Sequence, residues 1–174
     1  MARTAAKDKA EPAPAVSVII VAYESGPTLI RCLDALAAQT FTDFEVILAD
    51  NASTDGAPQA AAAAHPSVRF VENGANLGFA MGVNRAAALA RGRWLALINP
   101  DAYADPDWLG ELMAATRAFP EVRSFGSRQL MAADPRFLDG LGDVMSLPGF
   151  PFRGGYRGRV GGGLRLGLGV RMRG

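Results

Sequence analysis

The sequence predicts an α/β fold of the Rossmann-like type, with a mostly parallel sheet and helices on both of its faces. Two observations lead to this prediction. Short β-rich runs alternate with helical patterns four times along the chain, and three of these runs are almost continuously apolar. A strand buried on both faces of a parallel sheet has such a continuous pattern. Repeated strand–helix–strand connections, which are right-handed, bring the strands into one sheet.

The predicted strands are five short runs rich in β-branched and aromatic residues, of which the fifth is the weakest. They are 16–23 (VSVIIVAY), 45–50 (EVILAD), 68–73 (VRFVEN), 94–99 (WLALIN) and 122–127 (VRSFGS). The first, second and fourth runs are the continuously apolar ones. We therefore expect these three strands to be covered on both faces.

Four helical patterns lie between the strands. Residues 57–64 predict a short alanine-rich helix, and the other three patterns have apolar stripes at helical spacing. These stripes are Leu29, Leu33 and Leu36; Phe79, Val83, Ala86 and Ala90; and Leu109, Leu112, Met113 and Thr116. Pro27 is predicted at the first position of the first helix. Asp105, followed by Pro106, is predicted as the N-cap of the last helix.

Length and composition fit one folded domain. The chain has 174 residues, of which 49% are hydrophobic and 20% charged, so global disorder is excluded. Its net charge of +1 argues against a surface built for specific nucleic-acid binding. We divide the chain into a flexible N-terminal segment (1–15), the α/β domain (16–130), an irregular remainder (131–152) and an arginine- and glycine-rich tail (153–174).

The tail differs from the rest of the chain in charge and composition. Residues 153–174 contain six arginines, no acid and nine glycines, while the preceding residues have a net charge of −5. A segment of this composition buries little, so we expect it to be disordered or loosely held. Its resemblance to RGG-type segments leaves open a non-catalytic nucleotide-binding domain that contacts RNA or an acidic membrane surface. A tail without any selected role stays an alternative.

Scarce residue types exclude several kinds of chemistry. The single cysteine, Cys32, has no disulfide partner within the chain, and the single histidine, His65, excludes a zinc site built from cysteine and histidine. Any chemistry must therefore use carboxylates, amides and backbone groups, which suit Mg²⁺ or Mn²⁺. The sequence shows neither a membrane-spanning apolar run nor a secretory signal, so we predict a cytoplasmic location.

Polar residues follow the predicted strands at their carboxyl ends. They are Tyr23 and Glu24, Asp50 and Asn51, Glu72, Asn73 and Asn76, and Asn99, Pro100 and Asp101. In open parallel sheets, ligands bind in the crevice beyond these ends. Loops are commonly polar, which accounts for any single strand end. Four such ends together predict a binding crevice.

Two acids and one glycine pair stand out in this crevice. Asp50 directly ends a buried run, where a carboxylate needs a partner or a cleft, and it is suited to accept a hydrogen bond from a nucleobase N–H. Asp101 follows Pro100 and is suited to hold Mg²⁺ or Mn²⁺ with diphosphate oxygens and waters; a solvated loop acid is the alternative. Gly78 and Gly82 open a helix, where free N–H groups favour anions, although close helix–sheet packing explains them equally well.

Two long segments resemble family-2 glycosyltransferases. They are VSVIIVAYESGPTLIRCLDALAAQTFTDFEVILADNASTDG (16–56) and NLGFAMGVNRAAALARGRWLALINPDAYADPDWL (76–109). The combination of D-N-x-S-T-D-G, N-L-G-F and N-P-D is most similar to the rhamnosyltransferase-like branch. The resemblance covers residues 16–127, and more weakly extends to about 158. It implies a GT-A fold in which residues 16–130 bind a nucleotide-sugar.

The resemblance also implies roles for residues of the crevice. A nucleotide-diphosphate-sugar donor would bind there, with Asp101 as the ligand of a divalent cation (Mg²⁺ or Mn²⁺). The residues implied in donor binding are Tyr23, Glu24, Asp50, Asn51, Asn76, Gly78, Asn84 and Asn99. Of these, Tyr23, Glu24 and Asp50 would hold the nucleoside. Asn99 stands where many relatives have the first aspartate of D-x-D, and it is a neutral, weaker metal ligand.

The resemblance further implies an inverting transfer to a hydroxyl of a saccharide or a lipid-linked acceptor. Such an enzyme would serve cell-surface polysaccharide synthesis, and it would associate peripherally with the inner face of the plasma membrane. The general base of the family comes from a glutamate–aspartate segment in an acceptor-binding half. No acid follows Asp143 in this sequence. We therefore identify no catalytic residue, and we expect a donor-binding half without its acceptor half.

Overall fold

The computed structural model describes residues 12–141, 143–145, 151–160 and 171–173. Its main sheet has four parallel strands in the order β3-β2-β1-β4. The strands are β1 (Val16–Ala22), β2 (Phe44–Asp50), β3 (Arg69–Glu72) and β4 (Trp94–Leu97). The four strongest of the predicted strands are thus confirmed, and all of them run in the same direction. The expectation that β4 is covered on both faces is wrong, because β4 is an edge strand whose Leu95 and Leu97 are about half exposed.

Helices cover both faces of this sheet. They are α1 (Thr28–Ala37), α2 (Ala57–Ala64), α3 (Gly78–Ala87) and α4 (Trp108–Ala118). Side chains of α1, α2 and α4 pack in one core cluster, and α3 packs in another on the opposite face. Strand β1 divides its residues between the two, with Ile20 facing the first cluster and Ile19 and Val21 facing the second. This arrangement confirms the predicted Rossmann-like α/β fold.

Smaller strands follow the main sheet. They are β5 (Tyr103–Ala104), β6 (Arg128–Leu130), β7 (Leu138–Gly140), β8 (Asp143–Met145), β9 (Pro151–Arg153) and β10 (Arg171–Arg173). A second sheet has the order β5-β10-β6-β7, and β8 pairs with β9. Strands β7 and β8 lie within 131–152, the segment predicted to be irregular, and β10 lies within the tail predicted to be disordered or loosely held, so both predictions need correction at these strands. In the described part of the chain, no helix is both long and apolar enough to cross a membrane.

The fifth predicted strand, 122–127, is not a strand in the structure. The segment runs beside β4 but is separated from it by a cavity of about 350 Å³. The ring of Phe125 meets the ring of Trp94 edge-on, with centroids 6.2 Å apart. Trp108 Nε1 donates a hydrogen bond of 2.9 Å to Ser127 Oγ. Side-chain contacts therefore hold this segment in place of a backbone ladder.

The beginning of α4 also differs from the prediction. The cap position is Asp107 rather than Asp105, and Asp105 lies in the turn before the helix, where its carbonyl accepts from Trp108 N–H at 3.0 Å. The N–H of Leu109, in the first turn of α4, has no acceptor within the helix and donates to Gln39 Oε1 at 2.9 Å. Gln39 Nε2 also donates to the Asp105 carbonyl at 2.7 Å. A side chain that follows α1 therefore caps α4.

Two further helix predictions need correction. Pro27 occupies the cap position of α1 rather than its first helical position. In the stripe predicted for α3, Val83 is partly buried and Ala86 is buried, but Phe79 is 57% exposed. Phe79 lies at the N-terminal end of α3, where the helix extends beyond the carboxyl ends of the strands.

The tail is described only in part. Residues 1–11, 161–170 and 174 lie outside the described residues, so the predictions of flexibility there stay predictions. Residues 153–160, where we expected no packed element, bond to the chain around β7. Arg157 N–H donates to the Leu138 carbonyl, and Leu138 N–H donates to the Gly158 carbonyl, both at 2.9 Å. Backbone groups make these two bonds, which is why a glycine-rich composition is compatible with them.

Candidate functional site

The candidate site lies at the carboxyl edge of the main sheet. The strand order is β3-β2-β1-β4. After β1, the chain adds β2 and then β3 on one side of β1, and it adds β4 on the other side of β1. The carboxyl ends of β1 and β4 therefore form a switch point, where open α/β sheets bind ligands. Strands β2 and β4 flank β1, so they lie roughly 10 Å apart at the strand spacing of parallel sheets. The loops after β1, β2 and β4 converge on this edge.

Hydrogen bonds join the loop after β1 to the loop after β2. Glu24 Oε1 accepts from Thr54 N–H at 2.7 Å and from Thr54 Oγ1 at 3.1 Å. Glu24 N–H donates to Ser53 Oγ at 3.2 Å, and Gly26 N–H donates to Asp55 Oδ2 at 2.8 Å. Asp55 Oδ1 also accepts from the backbone at the start of α2. The Glu24 carboxylate, predicted as a nucleoside contact, is therefore engaged in fixing the two loops.

Backbone strain occurs in both of these loops. Glu24 has φ of +48° and Ala52 has φ of +61°, although neither is glycine. This left-handed conformation is unfavourable for residues with a Cβ and persists where the surrounding bonds enforce it. Here the hydrogen bonds between the two loops hold the backbone in this conformation.

Asp50 is a buried acid with partners of its own. Its Oδ1 accepts from Ser53 Oγ at 2.6 Å and from Ser53 N–H at 3.0 Å. Its backbone carbonyl accepts from Asn73 N–H at 2.8 Å. The predicted requirement for a partner is thus met by the turn that follows β2.

Amide side chains connect the end of β2 to the start of α3. Asn51 is buried, and its Nδ2 donates to the Gly78 carbonyl at 3.1 Å and to Asn76 Oδ1 at 3.5 Å. Its Oδ1 accepts from Asn73 Nδ2 at 2.8 Å. Asn76 Oδ1 also accepts from Gly78 N–H at 3.0 Å. These bonds fix the first residue of α3, where Gly78 has φ of +72°.

Gly82 is explained by close packing. A Cβ on Gly82 would lie 2.8 Å from Val21 Cγ1 and 3.3 Å from Asn51 Oδ1. The absence of a side chain therefore lets α3 approach β1 directly.

Asn84 lies farther from the carboxyl edge than the other predicted residues. It is on the exposed side of α3, nearly two turns after Gly78.

The turn after β4 presents Asp101 to solvent. Ala102 N–H donates to the Asn99 carbonyl at 3.1 Å, which closes a four-residue turn with Pro100 at its second position. Asn99 and Asp101 are both exposed. The Cys32 thiol of α1 donates to the Asn99 carbonyl at 3.6 Å, so α1 supports this turn from below.

The Cys32 thiol is buried close to this turn. Burial, and secondarily the negative charge of Asp101, raise its pKa to about 12. Helix α1 makes a second contact nearby. The Arg31 guanidinium stacks over the Tyr103 ring, 4.3 Å from the ring centroid. Neighbouring residues of α1 thus hold both ends of the segment that carries Asp101.

The donor atoms near this turn fit a hard cation. Within the described residues, no group of three histidine, cysteine, aspartate or glutamate side chains lies in place for a metal. Asp101 supplies one carboxylate and Asn99 one amide oxygen, which are ligand types that Mg²⁺ and Mn²⁺ accept. A cation bound by so few protein ligands keeps most of its coordination for phosphate oxygens and waters.

The geometry leads to a family assignment. The family model described as glycosyl transferase family 2 matches residues 17–130, the part of the chain that builds the main sheet and the candidate site. The chain belongs to glycosyl transferase family 2. The predicted resemblance is confirmed, and the parallel sheet is that of a GT-A-like domain.

Family relatives match over a limited part of their own lengths. An N-acetylglucosaminyl-diphospho-decaprenol L-rhamnosyltransferase of Mycobacterium tuberculosis is 37% identical over 120 residues, covering 63% of this chain and 39% of the relative. A chondroitin synthase of Escherichia coli is 36% identical over 136 residues, covering 76% of this chain and 19% of the relative. The matched part of the chain therefore spans about two fifths or less of these relatives.

Solved structures share the fold. A mannosyltransferase from Pyrobaculum calidifontis, in complex with GDP-Man and Mn²⁺, has a TM-score of 0.53 at 26% identity, covering 70% of this chain and 36% of that one. S. aureus TarS 1-349, in complex with UDP-GlcNAc, has a TM-score of 0.56 at 24% identity, covering 67% and 33%. Both alignments support the parallel α/β fold described above.

Proposed function

We propose that this family 2 chain binds a nucleotide-diphosphate-sugar at the carboxyl edge of its sheet, as part of a protein that transfers the sugar to an acceptor hydroxyl with inversion. The observation that carries the proposal is the switch point. It brings the loops after β1, β2 and β4 to one edge in a chain of this family. The solved relatives with GDP-Man and UDP-GlcNAc support a donor of this chemical class.

In this proposal, the loops after β1 and β2 hold the nucleoside. Tyr23 is 51% exposed and offers a ring for stacking. Asp50 Oδ1 is already bonded to Ser53, so we assign Oδ2 to the nucleobase N–H. Glu24 contributes indirectly, because its carboxylate bonds to Thr54 and so holds the two loops together.

Asn51 and Asn76 contribute by holding Gly78 in position. Gly78 lies at the N-terminus of α3, and a helix N-terminus favours the negative diphosphate.

The turn after β4 would hold the cation. Asp101 is exposed at this turn, and Asn99 precedes it by two residues. When bound, Mg²⁺ or Mn²⁺ neutralises negative charge on a departing diphosphate. Asp101 contributes the carboxylate that fixes the cation, while α1 holds the turn through Cys32 and Arg31. The Mn²⁺ in the P. calidifontis relative supports this assignment.

The proposed acceptor is a saccharide or a lipid-linked saccharide of cell-surface polysaccharide synthesis. The M. tuberculosis relative, whose name specifies a decaprenol-linked acceptor, supports this class. We propose that the reaction takes place in the cytoplasm at the inner face of the plasma membrane, where the protein would associate peripherally.

Titration calorimetry with UDP-, dTDP- and GDP-sugars tests donor binding. We expect one of these donors to bind in the presence of Mn²⁺, and we expect Asp101→Ala to weaken that binding by about tenfold or more, because the carboxylate is the charged ligand of the proposed site. Asp107→Ala is the matched control, since Asp107 is an exposed acid at the start of α4. An absence of heat at millimolar donor, or equal effects of the two substitutions, would count against the proposal.

A further inference from the structure

Phe79 is an aromatic residue of the core-facing stripe of α3 that has no core beneath it. It shares this stripe with Val83 and Ala86, which pack against the sheet, but it is itself 57% exposed. A large apolar side chain on the inner side of a helix is ordinarily buried. The exposure of Phe79 therefore needs an explanation.

The position of α3 along β1 gives this explanation. Gly82 packs directly on Val21, near the carboxyl end of β1. Phe79 lies one turn earlier in α3, about 4.5 Å farther along the helix axis at 1.5 Å per residue. Helical side chains also lean toward the N-terminus of their helix. Phe79 therefore projects beyond the last residues of the sheet, over the candidate site.

Tyr23 extends past the same edge on the same face. Ile19 and Val21 of β1 face α3, and from this alternation we infer that Tyr23, the first residue after the strand, lies on the α3 side. Its position is roughly 6–7 Å beyond Val21 at the rise of a strand. Tyr23 is 51% exposed, and no ring contact joins it to Phe79. Two half-exposed rings thus follow the carboxyl edge of the sheet, one after β1 and one at the start of α3.

The start of α3 is held firmly enough to fix the Phe79 position. Gly78, the preceding residue, is bonded to Asn51 through its carbonyl and to Asn76 through its N–H. Asn51 is in turn bonded to Asn73. This network anchors the backbone next to Phe79 to the ends of β2 and β3, so the ring is presented from a fixed position.

We propose that Phe79 is the second aromatic wall of the donor site and that, together with Tyr23, it brackets the planar nucleobase of the nucleotide-sugar. Aromatic rings recognise a nucleobase by stacking, which tolerates different bases because each base has a π-face. This inference rests on the proposed donor-binding function and assigns to it a residue that the sequence pattern placed in the core.

Binding of nucleoside diphosphates and of pyrophosphate to the full chain, measured with Mn²⁺ present, tests this role. UDP, dTDP and GDP carry a base, and pyrophosphate does not. We expect Phe79→Ala to weaken the tightest-binding nucleotide by about fivefold or more, consistent with the loss of one stacking partner. Phe79→Leu should lose nearly as much affinity, and Phe79→Tyr should stay within about twofold of the unaltered chain. Pyrophosphate affinity should not change in any variant.

Met81→Ala is the matched control, because Met81 is a 61% exposed apolar residue of the same helix on another of its sides. We expect this substitution to leave nucleotide affinity unchanged. Thermal unfolding of each variant checks that the exposed substitutions preserve the fold. A second readout is Phe79→Trp, whose emission should be quenched by the nucleotide and not by pyrophosphate.

The outcomes separate this inference from the proposed function. If the unaltered chain binds none of the nucleotides, the proposed function fails, and the role of Phe79 fails with it. If the unaltered chain binds a nucleotide and Phe79→Ala or Phe79→Leu binds it equally well, the inference alone is overturned. Equal losses of nucleotide and pyrophosphate affinity would also overturn it, because Phe79 would then act on the helix start rather than on the base.

Discussion

Single residues at the carboxyl edge have functions that their residue type does not reveal. Asn51 and Asn76 resemble ligand contacts in the sequence, yet their amides bond to the start of α3. Ser53 and Thr54 resemble parts of an ordinary turn, yet they hold the loop that contains Glu24. A short polar side chain bonds to whatever lies within reach, and the bonds that Asn51, Ser53 and Thr54 make to other loops join residues 22 to 30 positions apart in the chain.

Glu45 provides a second example, at the opposite edge of the sheet. Its Oε1 accepts from Ser17 Oγ at 2.6 Å and from Arg91 N–H at 2.7 Å, and its Oε2 accepts from Arg91 Nε at 2.9 Å. Burial by itself raises the pKa of Glu45. The hydrogen bonds from Ser17 and Arg91 and the Arg91 charge outweigh it, so the pKa lies below its ordinary value of 4.5.

This lowered pKa predicts a pH-dependent contribution of Glu45 to stability. A carboxylate with a lower pKa in the folded chain stabilises the fold above its ordinary pKa, and this contribution is lost as pH falls through the folded pKa. We expect Glu45→Gln to reduce the free energy of unfolding by about 1–2 kcal/mol at pH 7, from weakened charge-assisted hydrogen bonds. The difference should shrink toward pH 3 in urea unfolding experiments.

Glu121→Gln is the control for this prediction, because Glu121 is an exposed acid that follows α4. It should have little effect at either pH. A Glu45→Gln effect that stays constant between pH 7 and pH 3 would show that packing, and not ionisation, accounts for the role of Glu45.

At the level of elements, the sequence predicts those structures that depend on local patterns. The apolar runs of β1 and β2 and the leucine stripe of α1 have the periods that burial requires, and the structure confirms them. The start of α4 depends on Gln39, which is 70 residues away from the N–H that it caps. The segment 122–127 has a strand-like composition but lies across a cavity from β4. Local patterns contain no information about such distant partners.

The connection from α3 to β4 depends on a glycine at one position. A Cβ on Gly92 would lie 2.4 Å from Ser17 N and 2.6 Å from Val16 C, both of which are backbone atoms of β1. Gly92→Ala must therefore displace the connection, and we expect it to cost about 1–3 kcal/mol in the free energy of unfolding. The control is Gly110→Ala in α4, where a Cβ meets nothing within 4 Å. It should stabilise the helix by up to about 1 kcal/mol, and urea unfolding that gave equal effects would contradict the role of Gly92.

At the scale of the whole molecule, the candidate site results from strand order rather than from any one motif. Asp50 and Asp101 are 51 positions apart in the sequence, and only the order β3-β2-β1-β4 brings their strands to either side of β1. Alternating strands and helices predict that convergence, because parallel strands share one carboxyl edge. They do not predict which side chains remain available there, because this depends on the bonds between loops.

The same strand order leaves β4 at the edge of the described main sheet and predicts that the chain self-associates there. Leu95 and Leu97 of β4 are 49% and 45% exposed, whereas Ala96 between them is buried. An edge strand with unpaired backbone groups and exposed leucines favours contact with a second chain.

We expect Leu97→Lys to raise the dissociation constant of this self-association by about tenfold or more, since burying a leucine contributes about 1.5 kcal/mol or more. Phe119→Lys, at an exposed apolar residue after α4, is the control in sedimentation velocity across a concentration series. If the unaltered chain sediments as a monomer at every concentration, the predicted self-association does not occur. If both lysine substitutions have an equal effect, the association does not depend on β4.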